Sequence, residues 1–309
     1  MTLEELLPRV QKNIPLSSHT SLRVGGVADY FFEAHTREDI IEALSAAMST
    51  NTPYIILGGG TNVLVSDKGF RGLVIRIRTT GITEKENSLV IDAGVPMGVL
   101  VAYAAKQSLS GLEWAGGLPG TVGGAIRGNA GTFGKTLADA LISVDVFDPD
   151  TKSEKTYNKE DIFFDYRESS FKRSGEVILS AEIMLGPGSK EDIMAHTRES
   201  ILYRAEHHPS YDASSGCFFK NVDPQGKTFE IRGKMWFDRI PTGYLVDEAG
   251  LKGYQVGGAK VSNEHGNFIV NTGSATADDL VILLSLVKDR IKNTYGVLLK
   301  EEIELLGFY

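Results

Sequence analysis

The chain has 309 residues, longer than one hydrophobic core usually grows, so two or three compact units are expected. A 42% hydrophobic content is that of a folded protein, and a net charge of -8 argues against a nucleic-acid binder, which would carry a basic field. The single cysteine excludes an intrachain disulfide. The opening MTLEELLPRVQ lacks the pattern of a secretion signal, and no stretch approaches a membrane span, so the expectation is a cytoplasmic protein.

In chain order, Leu3, Leu6, Leu7 and Val10 fall at helical spacing, with Thr2 and Glu5 placed as a capping box. Pro8 limits the regularity of that helix. HTSLRVGGVADYFFEA reads as a turn entering a strand, after which Thr36 and Asp39 cap an amphipathic helix through Met48. A buried strand at 54–57 runs straight into Gly58-Gly59-Gly60-Thr61-Asn62, a strand-to-glycine junction suited to an anion or to a plain turn before the strand at 63–65. Short strands follow at 73–77 and 89–92, then a helix at 97–107.

That helix delivers the chain to the stretch around which the rest is organised, residues 111–134, GLEWAGGLPGTVGGAIRGNAGTFG. Nine of the thirty-four glycines lie there, and glycine at that density implies close backbone approach or positive φ, for a ligand or for tight packing. Gly117, Gly120 and Gly123 are not at dinucleotide-fold spacing, and GKT at 134–136 lacks the earlier glycine of a P-loop. Two glycine loops separated by a β/α unit suit two parts of one extended ligand. Beyond them come strands at 142–147 and 177–184, a connecting helix at 189–208, a capped helix from Ala277 to about Asn293, and a closing strand around LLKEEIELLG.

Three groups of residues suit chemistry. Arg167 and Lys172, among Tyr166 and Phe171, form a place for a carboxylate, with a surface pair to Glu168 as the alternative. Cys217, between Ser214-Ser215-Gly216 and Phe218-Phe219-Lys220, is a small buried apolar residue or a proton donor, a thiol having a reference pKa of about 8.5. Glu301, Glu302 and Glu304 close the chain; on a strand Glu302 and Glu304 share one face. Adjacent His207 and His208 with Cys217 do not make a metal-ligand spacing, so no metal is expected.

Taken in order, LGGGTNVLVSD, the 111–134 stretch, YRESSFK, SSGCFFKN and DEAGLKGYQVGGAKVSNEHGNFIVN resemble the UDP-N-acetylenolpyruvoylglucosamine reductase (MurB) family over nearly the whole chain. The resemblance implies an α+β protein. A two-subdomain FAD-binding module of the PCMH type, shared with vanillyl-alcohol oxidase, spans 19–188 (subdomains about 19–85 and 86–188). It follows an N-terminal helix and lead-in at 1–18 and precedes a family-specific substrate-binding domain at 189–309. The absence of a long late insert resembles the family's second type. Gly58, Gly59, Gly60, Thr61 and Asn62, with Gly117, Pro119, Gly120, Thr121, Gly123, Gly124, Asn129, Ala130 and Gly131, would then contact FAD. No histidine stands in the LGGGTN loop, so FAD is expected to be non-covalent.

The family's reaction, so implied, has NADPH reduce FAD and leave, after which flavin N5 gives hydride to C3 of a nucleotide-sugar enolpyruvyl ether. Protonation at C2 completes it. By motif, Arg167 and Glu302 match the residues that polarise the substrate carboxylate and stabilise the intermediate. Cys217 stands where the family commonly has a serine proton donor. Tyr166, Lys220 and Asn221 are substrate-binding candidates, Lys220 toward phosphates or carboxylate. The implied protein is bacterial and cytoplasmic, a monomer or weak oligomer with no nucleic-acid or membrane partner. A different flavin oxidoreductase or oxidase on the same module, and a binding module without turnover, are the competing readings.

Overall fold

A computed structural model describes residues 1–86, 88–209, 213–226 and 228–308. Two compact units emerge, neither continuous in sequence. The first is Met1–Ile14, Ala28–Gly59 and Arg71–Arg204; the second is Pro15–Val27, Gly60–Phe70 and Ala205–Tyr309. Tyr211 and Asp212, which precede the cysteine motif, lie outside the described residues.

In the first unit the Thr2/Glu5 capping box is present, but the helix it starts, α1, covers only Leu3–Leu6. Proline at position 8 removes an N–H and closes off the next turn. A four-stranded sheet runs in the order Gln11–Pro15, Val27–Ala34, Phe70–Ile77, Tyr54–Leu57, the last two parallel. Helix α2, Arg37–Ser49, starts at the Thr36/Asp39 capping box and buries Ile40, Ala43, Leu44 and Ala47 against Phe32, Leu73 and Ile75. That i, i+3, i+4, i+7 spacing is one helix face.

A five-stranded antiparallel sheet follows, in the order Ser153–Asn158, Leu141–Asp148, Val177–Ile183, Ser88–Asp92, Ile82–Lys85. Its central strand, Val177–Ile183, is buried at every position but one, whereas Ser88–Asp92 alternates between buried and half-buried. Helices α3, Met97–Lys106, and α4, Val122–Arg127, add Leu100, Ala104, Val122 and Ile126 to the same core. Helix α5, Lys190–His207, buries only Ile193 and Ser200.

The second unit carries a four-stranded sheet ordered Ala213–Cys217, Phe268–Asn271, Ala259–Val261, Gln255–Val256. Helix α6, Thr242–Glu248, and helix α7, Ala277–Tyr295, contribute to its core. The Thr276/Asp279 box starts α7, and Gly296 ends it at φ 70°, the left-handed conformation that glycine adopts without cost. Leu280, Leu283, Leu284, Val287 and Ile291 form its buried stripe. Leu22, Val24 and Leu64, from far earlier in the chain, belong to this core as well. The mixture of separate helices and largely antiparallel sheets is the α+β class expected from the sequence.

The closing strand differs from expectation. It is confined to Glu304–Leu306, paired in parallel with Val63–Val65. Ile303 forms a bend and is buried, at 4% exposure, so strand alternation does not extend back to Glu302. A shared face for Glu302 and Glu304 therefore does not follow.

Candidate active site

The first glycine run starts where the parallel Tyr54–Leu57 strand ends. Gly58 is present because of what faces it: a Cβ there would lie 2.6 Å from Thr121 Oγ1. The two glycine loops thus meet inside the first unit. Gly59 and Thr61 are half-buried. Gly60 sits at φ 65°, where a Cβ would also be 2.1 Å from the His19 carbonyl, so only glycine fits. Asn62 Nδ2 donates to the Glu302 carbonyl at 3.1 Å, and the Asn62 carbonyl accepts from the Glu304 amide at 3.1 Å. The loop is therefore tied to the end of the chain through backbone and side chain together.

The second glycine run is irregular, as its composition implies, but contains the six-residue α4. Thr121 caps that helix, its Oγ1 accepting from the Gly124 amide at 3.4 Å. Several of the glycines serve packing. A Cβ on Gly116 would meet the Thr197 carbonyl of α5 at 2.6 Å, and Arg204 Nε donates to the Gly116 carbonyl at 3.1 Å. Gly117, at φ 73°, faces Arg204 and Ile201; Gly123 is against Ala93, and Gly131 against the Lys135 carbonyl. Gly120 has φ 104° and its carbonyl accepts from the Met97 amide. Gly124 and Pro119 are exposed, and Ala130 is half-buried.

Arg167 is positioned by this loop. It occupies the turn between the short strands Phe164–Asp165 and Glu168–Ser169, at φ 57°, an uncommon conformation for a residue with a Cβ. Its guanidinium donates to the Gly131 carbonyl at 2.7 Å and to the Asn129 carbonyl at 3.4 Å, and lies 5.2 Å from the Tyr166 ring. Asn129 Nδ2 in turn donates to the Asp165 carbonyl at 2.9 Å, and Ser169 Oγ to the Arg127 carbonyl at 2.7 Å. Neither Asn129 nor Ser169 is singled out by spacing as a support for Arg167. Lys172 lies in the 3-10 turn Ser170–Lys172 that follows.

In the second unit Cys217 ends the Ala213–Cys217 strand, half-buried, opposite Phe268. A register shift between Ser214 and Cys217, with Gly216 at φ 76°, re-aims the strand just before the thiol. Ser21 Oγ and Ser215 Oγ share a hydrogen bond of 3.1 Å. Phe218 and Phe219 are buried at 0% and 2% exposure and anchor the segment. The Phe218 carbonyl accepts from the Glu302 amide at 2.8 Å, Phe219 bridges Glu301, and the Lys220 amide donates to the Lys300 carbonyl at 2.9 Å. Thr242, fully buried at the start of α6, donates its hydroxyl to the Lys220 carbonyl at 2.7 Å and its amide to Asn221 Oδ1 at 3.2 Å. Cys217, Lys220, Asn221 and Glu302 are thus assembled by two paired segments, and Asn62 joins them. Arg167 and Tyr166 belong to the first unit.

Residues 28–156, which include both glycine loops, match the family model described as an FAD binding domain. Residues 208–306 match the UDP-N-acetylenolpyruvoylglucosamine reductase C-terminal domain. The chain is 35% identical over 299 residues to the UDP-N-acetylenolpyruvoylglucosamine reductase of Syntrophus aciditrophicus, covering 95% of this chain and 90% of that relative. It is 36% identical over 312 residues to that of Synechococcus elongatus, covering 98% and 96%. The crystal structure of UDP-N-acetylenolpyruvylglucosamine reductase (MurB) from Thermus caldophilus matches with TM-score 0.78 and 35% identity, over 96% of this chain and 99% of that one. The class is therefore an FAD-dependent oxidoreductase. The chain belongs to the UDP-N-acetylenolpyruvoylglucosamine reductase family.

The residues present fit FAD. Asn129, in the second glycine run, is buried at 6% exposure, and its Oδ1 meets no hydrogen-bond donor among the described residues. A buried acceptor of this kind costs free energy unless a donor meets it, and FAD brings N–H and O–H donors.

Proposed function

We propose that this chain reduces UDP-N-acetylglucosamine enolpyruvate to UDP-N-acetylmuramate with NADPH as the electron source, in peptidoglycan precursor synthesis in the bacterial cytoplasm. The observation that carries the reading is the 33% to 36% identity to named reductases along nearly the full length of the chain, within which Arg167, Cys217 and Glu302 stand in the motifs that carry the resemblance. Residues 58–62 and the second glycine run hold non-covalent FAD, within a flavin module at 19–188. Residues 189–309 are assigned to the substrate domain. When bound, FAD supplies hydride transfer between NADPH and the enolpyruvyl group.

The chain's own residues do the rest. Arg167 is assigned to polarise the substrate carboxylate and Glu302 to stabilise the intermediate; preorganised groups do this without reorganising in the transition state. The Gly131 and Asn129 carbonyls fix the Arg167 guanidinium beforehand, and backbone bonds to Phe218 and Asn62 fix the Glu302 main chain. Cys217 Sγ gives its proton to C2 and is reprotonated from solvent. Tyr166, Lys220 and Asn221 orient the substrate, Lys220 by its charge.

An anaerobic titration with NADPH, followed at the flavin absorption band, tests the reading. Bleaching by NADPH and rapid recovery on adding UDP-N-acetylglucosamine enolpyruvate is expected. Recovery with dioxygen alone would instead identify an oxidase, and a yellow protein that NADPH leaves unbleached would identify a binding module.

A further inference from the structure

We propose that Asn267 is the positioning residue for the Cys217 proton donor, acting as a substitute peptide group where the sheet runs out. The proposal rests on the reading of Cys217 as the donor of the C2 proton.

The Ala213–Cys217 strand pairs with Phe268–Asn271, and Cys217 opposite Phe268 is the last pair of that ladder. Beyond it Phe218 and Phe219 need partners of their own, because both are buried and an unpaired buried amide is costly. Asn267 supplies three of the four, and Glu302 the remaining one, at the Phe218 carbonyl. Its main-chain carbonyl accepts from the Phe218 amide at 2.9 Å. Its side-chain Oδ1 accepts from the Phe219 amide at 3.0 Å, and its Nδ2 donates to the Phe219 carbonyl at 2.7 Å.

The side-chain amide thus pairs with Phe219 as a neighbouring strand residue would, while Asn267 itself is 3% exposed. One residue thus holds the two between Cys217 and Lys220, Phe218 by its main chain and Phe219 by its side chain. The carbonyl of one of them, Phe218, also receives the Glu302 amide. Asn267 is held in its turn by His265, whose Nδ1 accepts from the Asn267 amide at 3.1 Å. An aspartate cannot replace Asn267 when ionised, since it has no donor for the Phe219 carbonyl. Protonated, it presents one O–H and one acceptor oxygen in nearly the same shape, and burial favours that neutral form.

Cys217 is the chain's sole cysteine, so its alkylation by iodoacetamide reports the segment without interference and without any need for turnover. Asn267→Ala is expected to alkylate about threefold faster or more as the segment loosens. It should also reoxidise its NADPH-reduced flavin with the enolpyruvyl substrate about tenfold more slowly. Reduction by NADPH and FAD content are expected to stay within about twofold, since a purely structural loss would lower them together. Asn267→Asp supplies the second test, because a misfolded alanine variant is not informative. Its alkylation rate relative to wild type, measured from neutral to acid pH, should approach one as the new carboxyl protonates. Alkylation and reoxidation of Asn267→Ala within about twofold of wild type would overturn the positioning role, as would a pH-independent ratio for Asn267→Asp. Failure of the wild type itself to reoxidise with the enolpyruvyl substrate would overturn the function on which the proposal rests.

Discussion

An alanine methyl at position 58 would stand 2.6 Å from Thr121 Oγ1, displacing the hydroxyl that caps α4. Gly58→Ala is expected to cost about 1 kcal/mol through the cap and to weaken FAD binding about tenfold, read by equilibrium titration of the apoprotein. An unchanged dissociation constant would remove this junction from the cofactor site. At Cys217 the question is proton donation. Cys217→Ser keeps an O–H and is expected to turn over measurably, whereas Cys217→Ala should lose on the order of a hundredfold, as removal of a general acid does. Full activity in the alanine variant would exclude the thiol from the reaction. Both residues were legible in the sequence, as a glycine after a strand and a lone thiol in a family motif. The supports of Arg167 were not, because the carbonyls of Asn129 and Gly131 stand 38 and 36 residues away and a carbonyl contact leaves no mark on residue type.

Among the elements, the loop leading into the Phe268–Asn271 strand carries a pH dependence. His265 lies against the rings of His208, at 5.5 Å, and Phe268, at 4.7 Å. Burial, with the charges of Lys252 and His207, holds its imidazole below the ordinary 6.5. The neutral ring is also the form that accepts from Asn267 at Nδ1. A histidine pKa depressed by folding contributes stability that is complete above the unfolded value and is lost as pH falls through the folded one. Urea midpoints measured above and below pH 6.5 should therefore fall more in the wild type than in His265→Gln, whose side chain offers a pH-independent acceptor; equal losses would place the dependence elsewhere. Helices α2 and α7 were readable to within two residues from their capping boxes and apolar stripes. The closing strand was not, because the burial of Ile303 turns the chain between Glu302 and Glu304.

For the molecule as a whole, the second unit draws its core from three separated stretches. Leu22, Val24 and Leu64 are buried there at 0%, 3% and 0% exposure, and Val63–Val65 is the strand partner of Glu304–Leu306. Asn271 Nδ2 further donates to the Leu22 carbonyl at 3.0 Å. A fragment of residues 205–309 is expected to show no cooperative urea transition by circular dichroism, since it would expose that apolar surface and leave a strand unpaired. A cooperative transition in the isolated fragment would show that the earlier stretches are dispensable.

The sequence by itself determined the α+β class, the glycine junctions, the capped helices and the family, since each is written in residue type at short spacing or in a run of motifs along the chain. Only the tertiary structure decided what those residues touch. It set Gly58 against Thr121, moved Glu302 off the closing strand and onto Phe218 and Asn62, and made the Asn267 side chain a strand partner for Phe219. The reason is range: the Asn62–Glu302 bond spans 240 positions and the Asn267–Phe219 pair 48. Such partners are chosen by which surfaces the folded cores bring together, not by any local periodicity.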